Sequence, residues 1–132
     1  MVKEIEITVP FYDVDSMRVV YHGNYVKYLE EARCAFLLEK GMTYGDMDRL
    51  GYIFPVVEMK LKYMKPCVFG QTIVVSCRLE DCENCLVFSY LIRDKKTGAK
   101  MCKAETKQMC VDMKTQESLF VLPDVVLEKL RG

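Results

Sequence analysis

The sequence predicts an α+β fold: an antiparallel sheet of about five strands wrapped around one long central helix. Three observations carry that prediction. Apolar and polar residues alternate with a period of two in several separate stretches, as half-buried strands require. One long segment instead repeats its apolar residues at three- and four-residue steps, the stripe of an amphipathic helix. The strand-like stretches are segregated from that segment, which separates this pattern from an alternating βα succession.

The first strand is expected over residues 3–9, where Ile5, Ile7 and Val9 alternate with Glu4, Glu6 and Thr8 until Pro10 closes the run. After a loop to His22 and Gly23, the helix carries Tyr25, Tyr28, Leu29, Ala32, Ala35 and Phe36 on one stripe. Asn24 suits its N-cap and Gly41 its stop. Leu37 and Leu38 widen the stripe near the end, which predicts a helix covered by sheet over much of its girth.

Alternation returns at Val57, Met59, Leu61 and Tyr63 and ends at Pro66, whose missing N–H breaks a ladder. Ile73, Val75, Cys77 and Leu79 form the next set, and Leu86, Phe88, Tyr90 and Ile92 the one after, joined by the polar turn Asp81–Asn84. The last strand is expected from about Ala99 to Asp112, with Cys102, Ala104, Thr106 and Cys110 forming a small-residue face suited to close packing on the helix. The four later strands are expected as a meander, and Pro123 is expected to open a short amphipathic tail helix. A chain of 132 residues with 51% apolar and 29% charged residues fits one domain over 1–132. A sheet of this size leaves edges, so a homo-oligomer, dimer or tetramer, is expected.

Composition narrows the function. Lysine plus arginine and aspartate plus glutamate balance at 19 each, so no overall field draws the chain to nucleic acid or an anionic membrane. No apolar run reaches the roughly 20 residues of a membrane span, and the start is not a signal peptide. The seven cysteines lie mostly among strand and helix residues, which fits reduced thiols in the cytoplasm. Cys82 and Cys85 form a lone CxxC without the two further ligands zinc needs, and read as part of a hairpin turn. No metal or cofactor is expected.

With one histidine, no GxSxG elbow, no Walker loop and no GxGxxG turn, triad and nucleotide-fuelled chemistries lose their residues. The chemically dense stretch is the loop before the helix, with Asp13 and Asp15 ahead of His22, Gly23 and Asn24. The first turn of a helix presents unpaired N–H groups that can polarise a carbonyl, and a nearby carboxylate can attack or activate water. Spacing alone still favours the plainer reading, in which both aspartates shape the loop through Asx turns and His22 is structural.

The run FYDVDSMRVVYHGNYVKYLEEAR resembles the signature of the 4-hydroxybenzoyl-CoA thioesterase-like branch of the hotdog superfamily. That signature reads approximately D-x-D-x-x-G-x-V-x-(H/Y)-x-x-Y before a helix, and Asp13, Asp15, Val20, His22, Asn24 and Tyr25 fall into place. Tyr63, Pro66 and Gly70 match its later strand pattern. The resemblance implies a hotdog fold and an acyl-CoA thioesterase. It implies Asp15 as catalytic carboxylate, as nucleophile or general base, and the His22 N–H as the group that polarises the thioester carbonyl, with Asp13 supportive. Tyr25, Tyr28, Leu29 and Phe54 are the expected acyl wall. Lys60, Lys62, Lys65 and Arg33 are weaker candidates for the phosphates of coenzyme A.

Arg18 stands where that family often has glycine, so the loop is expected to run differently, with the guanidinium near Asp13, Asp15 or substrate phosphates. Two rival readings share the fold: an acyl-thioester hydratase using His22, and a non-catalytic acyl-thioester binding protein whose loop Arg18 has disabled. An acyl group carried on acyl carrier protein is the alternative substrate.

Overall fold

The computed structural model describes all residues 1–132. Strand β1 (Val2–Thr8) leads through a loop to helix α1 (Tyr25–Lys40) and a short helix α2 (Tyr44–Arg49). Strands β2 (Tyr52–Ile53), β3 (Val56–Tyr63), β4 (Thr72–Asp81), β5 (Leu86–Asp94), β6 (Lys100–Gln108), β7 (Cys110–Asp112) and β8 (Ser118–Leu119) follow. Helix α3 (Asp124–Arg131) ends the chain. This is the expected α+β hotdog arrangement, a five-stranded antiparallel sheet curled around α1.

The apolar stripe of α1 explains the packing. Tyr25, Tyr28, Leu29, Ala32 and Phe36 are all buried and share one core cluster with Ile73, Val75 and Cys77 of β4 and Phe88 and Ile92 of β5. Phe36 meets Phe88 edge to face at 5.3 Å, worth about 1 kcal/mol beyond the area it buries. Ala32, Cys77, Cys102 and Cys110 are fully buried, and their small volumes let helix and sheet approach closely. Gly41 stops the helix in the left-handed region at φ 74°, with the Met42 N–H donating to the Leu37 carbonyl, an ending that a Cβ would strain. Leu37 is buried as expected, but Leu38 is 69% exposed, so the outer face of α1 lies outside the sheet's wrap.

The expected meander holds for β4, β5 and β6 but not for β3. The strand order is β1-β4-β5-β6-β3, which puts β3 on the far edge beside β6 rather than next to β4. Its connection to β4 cannot fold straight back. The Met64 and Lys65 N–H groups both donate to the Met101 carbonyl, Pro66 follows, and the Cys67 carbonyl accepts from the Val20 N–H. The chain is thereby led under the β1–α1 loop before entering β4.

The long last strand is likewise two. It breaks at Met109, whose N–H donates to the Pro55 carbonyl, while the buried Gln108 amide donates to the Phe54 carbonyl. Beyond the break β7 joins a second small sheet with β2 and β8. Helix α2, unforeseen in the sequence, is closed by a capping box between Thr43 and Asp46. Helix α3 does start after Pro123 and buries Val126 and Leu130. The Cys82–Cys85 stretch is the β4–β5 hairpin, and all seven cysteines are free thiols.

Candidate functional site

The loop between β1 and α1 is built around its two aspartates, which play different parts. Asp13 is 3% exposed and its carboxylate is fully engaged, accepting from Lys27 Nζ at 2.6 Å and from the Tyr28 hydroxyl at 2.7 Å. Its carbonyl accepts from the Tyr21 N–H and from the Asn24 side-chain amide. Asp13 therefore ties the loop to the first turn of α1. Burial pushes its pKa up, but the hydrogen bonds and charge of Lys27 and the Tyr28 hydroxyl outweigh burial and hold it below the usual carboxylate range.

Asp15 is left freer. The stretch from Val14 to Val20 closes as a small hairpin, with the Asp15 N–H donating to the Val19 carbonyl and the Arg18 N–H to the Asp15 carbonyl. One Asp15 carboxylate oxygen accepts from the Met17 N–H at 2.8 Å, an Asx turn, and the other has no partner in the chain. The carboxylate is thus half-buried and oriented, with one oxygen unspent.

Arg18 corrects the expectation of a rerouted loop. It sits at φ 67°, the left-handed conformation that glycine adopts freely, and the hairpin bonds around it hold it there. The turn keeps the shape that a glycine would give it. The exposed Arg18 side chain makes no ion pair with Asp13 or Asp15.

Residues His22–Asn24 form a 3-10 turn that runs into α1. Asn24 is at the cap position, but its side chain is spent on Asp13 and caps nothing. The N–H groups of Val20, Tyr21 and Asn24 are all bonded, whereas those of His22 and Gly23 donate to nothing in the chain. Two donors therefore stand free at the positive end of the helix. The His22 carbonyl accepts from the Tyr63 hydroxyl at 2.9 Å, which fixes this turn against the end of β3. A Cβ at Gly23 would lie 2.7 Å from the ring of the exposed Tyr21, which would have to shift to admit a side chain there.

A cleft of about 220 Å³ opens here, between Val20, His22 and Tyr25 on one side and Tyr63, Lys65 and Pro66 on the other. The Tyr25 hydroxyl accepts from the Cys67 N–H at the back of it, and burial pushes that phenol well above its usual range. The structure thus brings His22 and Tyr25 into one cleft. Asp15 does not line it, but sits on the hairpin whose other arm delivers Val20 to its wall.

The remaining expected site residues fall elsewhere. Tyr28 is buried with its hydroxyl on Asp13, which takes it out of the expected acyl wall and makes it a positioning residue for the loop. Leu29 and Phe54 are core residues. Arg33 is 5% exposed and donates to the Tyr44 and Tyr90 hydroxyls, so it is closed to phosphates.

A profile of the thioesterase-like superfamily matches residues 9–130 of the chain. The chain belongs to that superfamily. The Bacillus subtilis protein YneP is 36% identical over 112 residues, which span 84% of this chain and 80% of that protein. The long-chain acyl-CoA thioesterase FadM of Escherichia coli is 27% identical across 96% of both chains. Among solved structures, the DHNA-CoA thioesterase from Staphylococcus aureus superposes with a TM-score of 0.88 at 26% identity, over 98% of this chain and 89% of that one.

Several site residues of this superfamily member escaped the sequence reading. Tyr63 and Cys67 lie 41 and 42 positions from the groups they hold, His22 and Tyr25, so nothing local marks them as partners. Lys27 gave a weak signal, since it shares the first turn of α1 with Tyr28 and so can face back toward the loop.

Proposed function

We infer that the chain hydrolyses the thioester of an acyl-CoA to the free acid and the CoA thiol. The observation that carries this reading is the pair of unspent N–H groups at His22 and Gly23, with His22 lining a cleft beside the hairpin that holds Asp15. In the proposed reaction the His22 N–H accepts no proton but donates to the thioester oxygen, so that negative charge developing there is stabilised in a partly dehydrated place. The free oxygen of Asp15 attacks the acyl carbon, giving a mixed anhydride that water cleaves, or takes a proton from the attacking water. In either route the C–S bond breaks and the thiolate leaves as the thiol.

The disabled-loop reading loses its ground, because Arg18 adopts the conformation that the hairpin needs. Hydration of an unsaturated acyl-CoA is separated by product. Incubated with an α,β-unsaturated acyl-CoA, the chain is expected to release acid and thiol in equal amounts. A hydroxyacyl product with its thioester intact would select the hydratase instead.

The working unit in this reading is a homodimer. Strand β3 has only one neighbour, and Val56, Val57, Tyr63 and Met64 on it and just beyond it stand exposed. Pairing β3 with its copy would cover that edge and close over the cleft that Tyr63 lines. Sedimentation is expected to give at least twice 15.3 kDa, and a monomer at micromolar concentration would count against it. Seven free thiols support a reducing compartment, the cytoplasm, as its setting. No helix is long and apolar enough to cross a membrane.

A further inference from the structure

No side chain of the turn His22–Asn24 holds the peptide that joins His22 to Gly23. Asn24 spends its amide on the Asp13 carbonyl, and no side chain caps the turn at Tyr21 or the helix that follows. Glycine at position 23 makes the orientation of that peptide soft, because rotation on the glycine side carries no Cβ with it. Turned over, the peptide would present a carbonyl oxygen where its N–H now stands. Negative charge developing nearby would then be repelled instead of held.

The hold comes from β3. The Tyr63 hydroxyl donates to the His22 carbonyl at 2.9 Å, across 41 positions of sequence. In a planar trans peptide that carbonyl and the Gly23 N–H are opposite ends of one dipole, and the Gly23 N–H donates to nothing in the chain. A hydrogen bond accepted at one end of a peptide polarises it and strengthens the donor at the other.

Tyr63 is placed to align this peptide more than to fill the core. It is 47% exposed, yet its ring is set edge-on against Tyr25 at 5.1 Å and against His22 at 6.4 Å. The His22 carbonyl takes the one hydrogen bond its hydroxyl makes. Partial burial, with Cys102 and Tyr21 nearby, pushes the phenol up, so the hydroxyl stays a donor through neutral pH.

We propose that Tyr63 is a positioning residue for thioester cleavage, fixing and polarising the His22–Gly23 peptide so that the Gly23 N–H joins that of His22 in holding the oxyanion. This rests on the reading of the chain as an acyl-CoA hydrolase. The hydroxyl itself touches no reacting atom and gives up no proton.

The test is Tyr63→Phe, which keeps the ring and removes the hydroxyl. With an acyl-CoA that the wild type cleaves, kcat is expected to fall about 10-fold, less than the 10²- to 10³-fold cost of losing a whole oxyanion donor. KM is expected to stay within about twofold, and the melting temperature within a few degrees. In NMR spectra of the free protein the Gly23 amide is expected to move upfield as its peptide loses the polarising bond. The Asn24 amide, which donates to the Tyr21 carbonyl, is expected to stay in place.

Unchanged kcat in the variant would overturn the inference and leave the hydrolase reading standing. A raised KM at wild-type kcat would also overturn it, as the mark of a tyrosine that only lines the cleft. Slower turnover with the Gly23 amide unmoved, or with a melting temperature lower by about 10 °C, would make the role structural and overturn it too. No thiol release by the wild type would instead remove the hydrolase reading, and this role with it.

Discussion

Asp13→Ala is expected to destabilise the chain by about 3 kcal/mol and to lower the melting temperature by roughly 10 °C. The cost has an identifiable source. The substitution leaves the buried Tyr28 hydroxyl without its acceptor and removes a short bond from Lys27, while the half-exposed lysine can return to water at little cost. Tyr28→Phe removes the other partner and is expected to cost about half as much. The double variant should fall short of the sum, because both substitutions break the same contact.

Acid should expose the same contact. The Asp13 carboxyl binds its proton more weakly in the folded chain than in the unfolded one. Its contribution is therefore complete above the unfolded pKa of about 4 and is lost as pH falls through the lower folded value. Melts between pH 6 and pH 3 should show a steeper acid decline for wild type than for Asp13→Asn. Equal slopes would mean that the carboxylate contributes nothing through its charge.

Asp15→Asn should behave in the opposite way, sparing the fold and removing activity. Asparagine can accept the Met17 N–H as Asp15 does, and Asp15 makes no ion pair, so the melting temperature should stay within a few degrees of wild type. The amide is neither a nucleophile nor a base at neutral pH. General-base or nucleophilic assistance of this kind is typically worth 10² to 10⁴ in rate, and a fall in kcat of about 10³-fold is expected. The expected contrast between the two aspartates, one holding the fold and one proposed to react, follows from what each carboxylate already binds.

Much of this was legible in the sequence because it depended on local periodicity. Ile5 and Ile7, the α1 stripe from Tyr25 to Phe36, and the alternation of Ile73–Cys77 and Leu86–Ile92 each report burial over a few residues. Gly41 marked the end of α1 through its own backbone. The path of β3 was not legible, since its neighbour is set by pairing with Cys102–Gln108, far along the chain. The break at Met109 follows from the Phe54 and Pro55 carbonyls, which no property of Gln108 or Met109 announces.

At the site, the motif located Asp13, Asp15 and His22, but not which carboxylate was already consumed. That depended on Lys27 and Tyr28 folding back from 14 and 15 positions away. Arg18 was read as an obstacle because propensity disfavours a side chain at positive φ, yet the surrounding hairpin bonds impose the conformation regardless.

The central claim is that a thioester is cleaved where the Asp15 hairpin meets the start of α1. Its most direct test is the rate of thiol release from a series of short, long and aromatic acyl-CoAs, with wild type and Asp15→Asn assayed side by side. The account predicts saturable release by the wild type from at least one of them and a kcat about 10³-fold lower for the variant at unchanged melting temperature. Thiol release by the folded Asp15→Asn variant at the wild-type rate would contradict it.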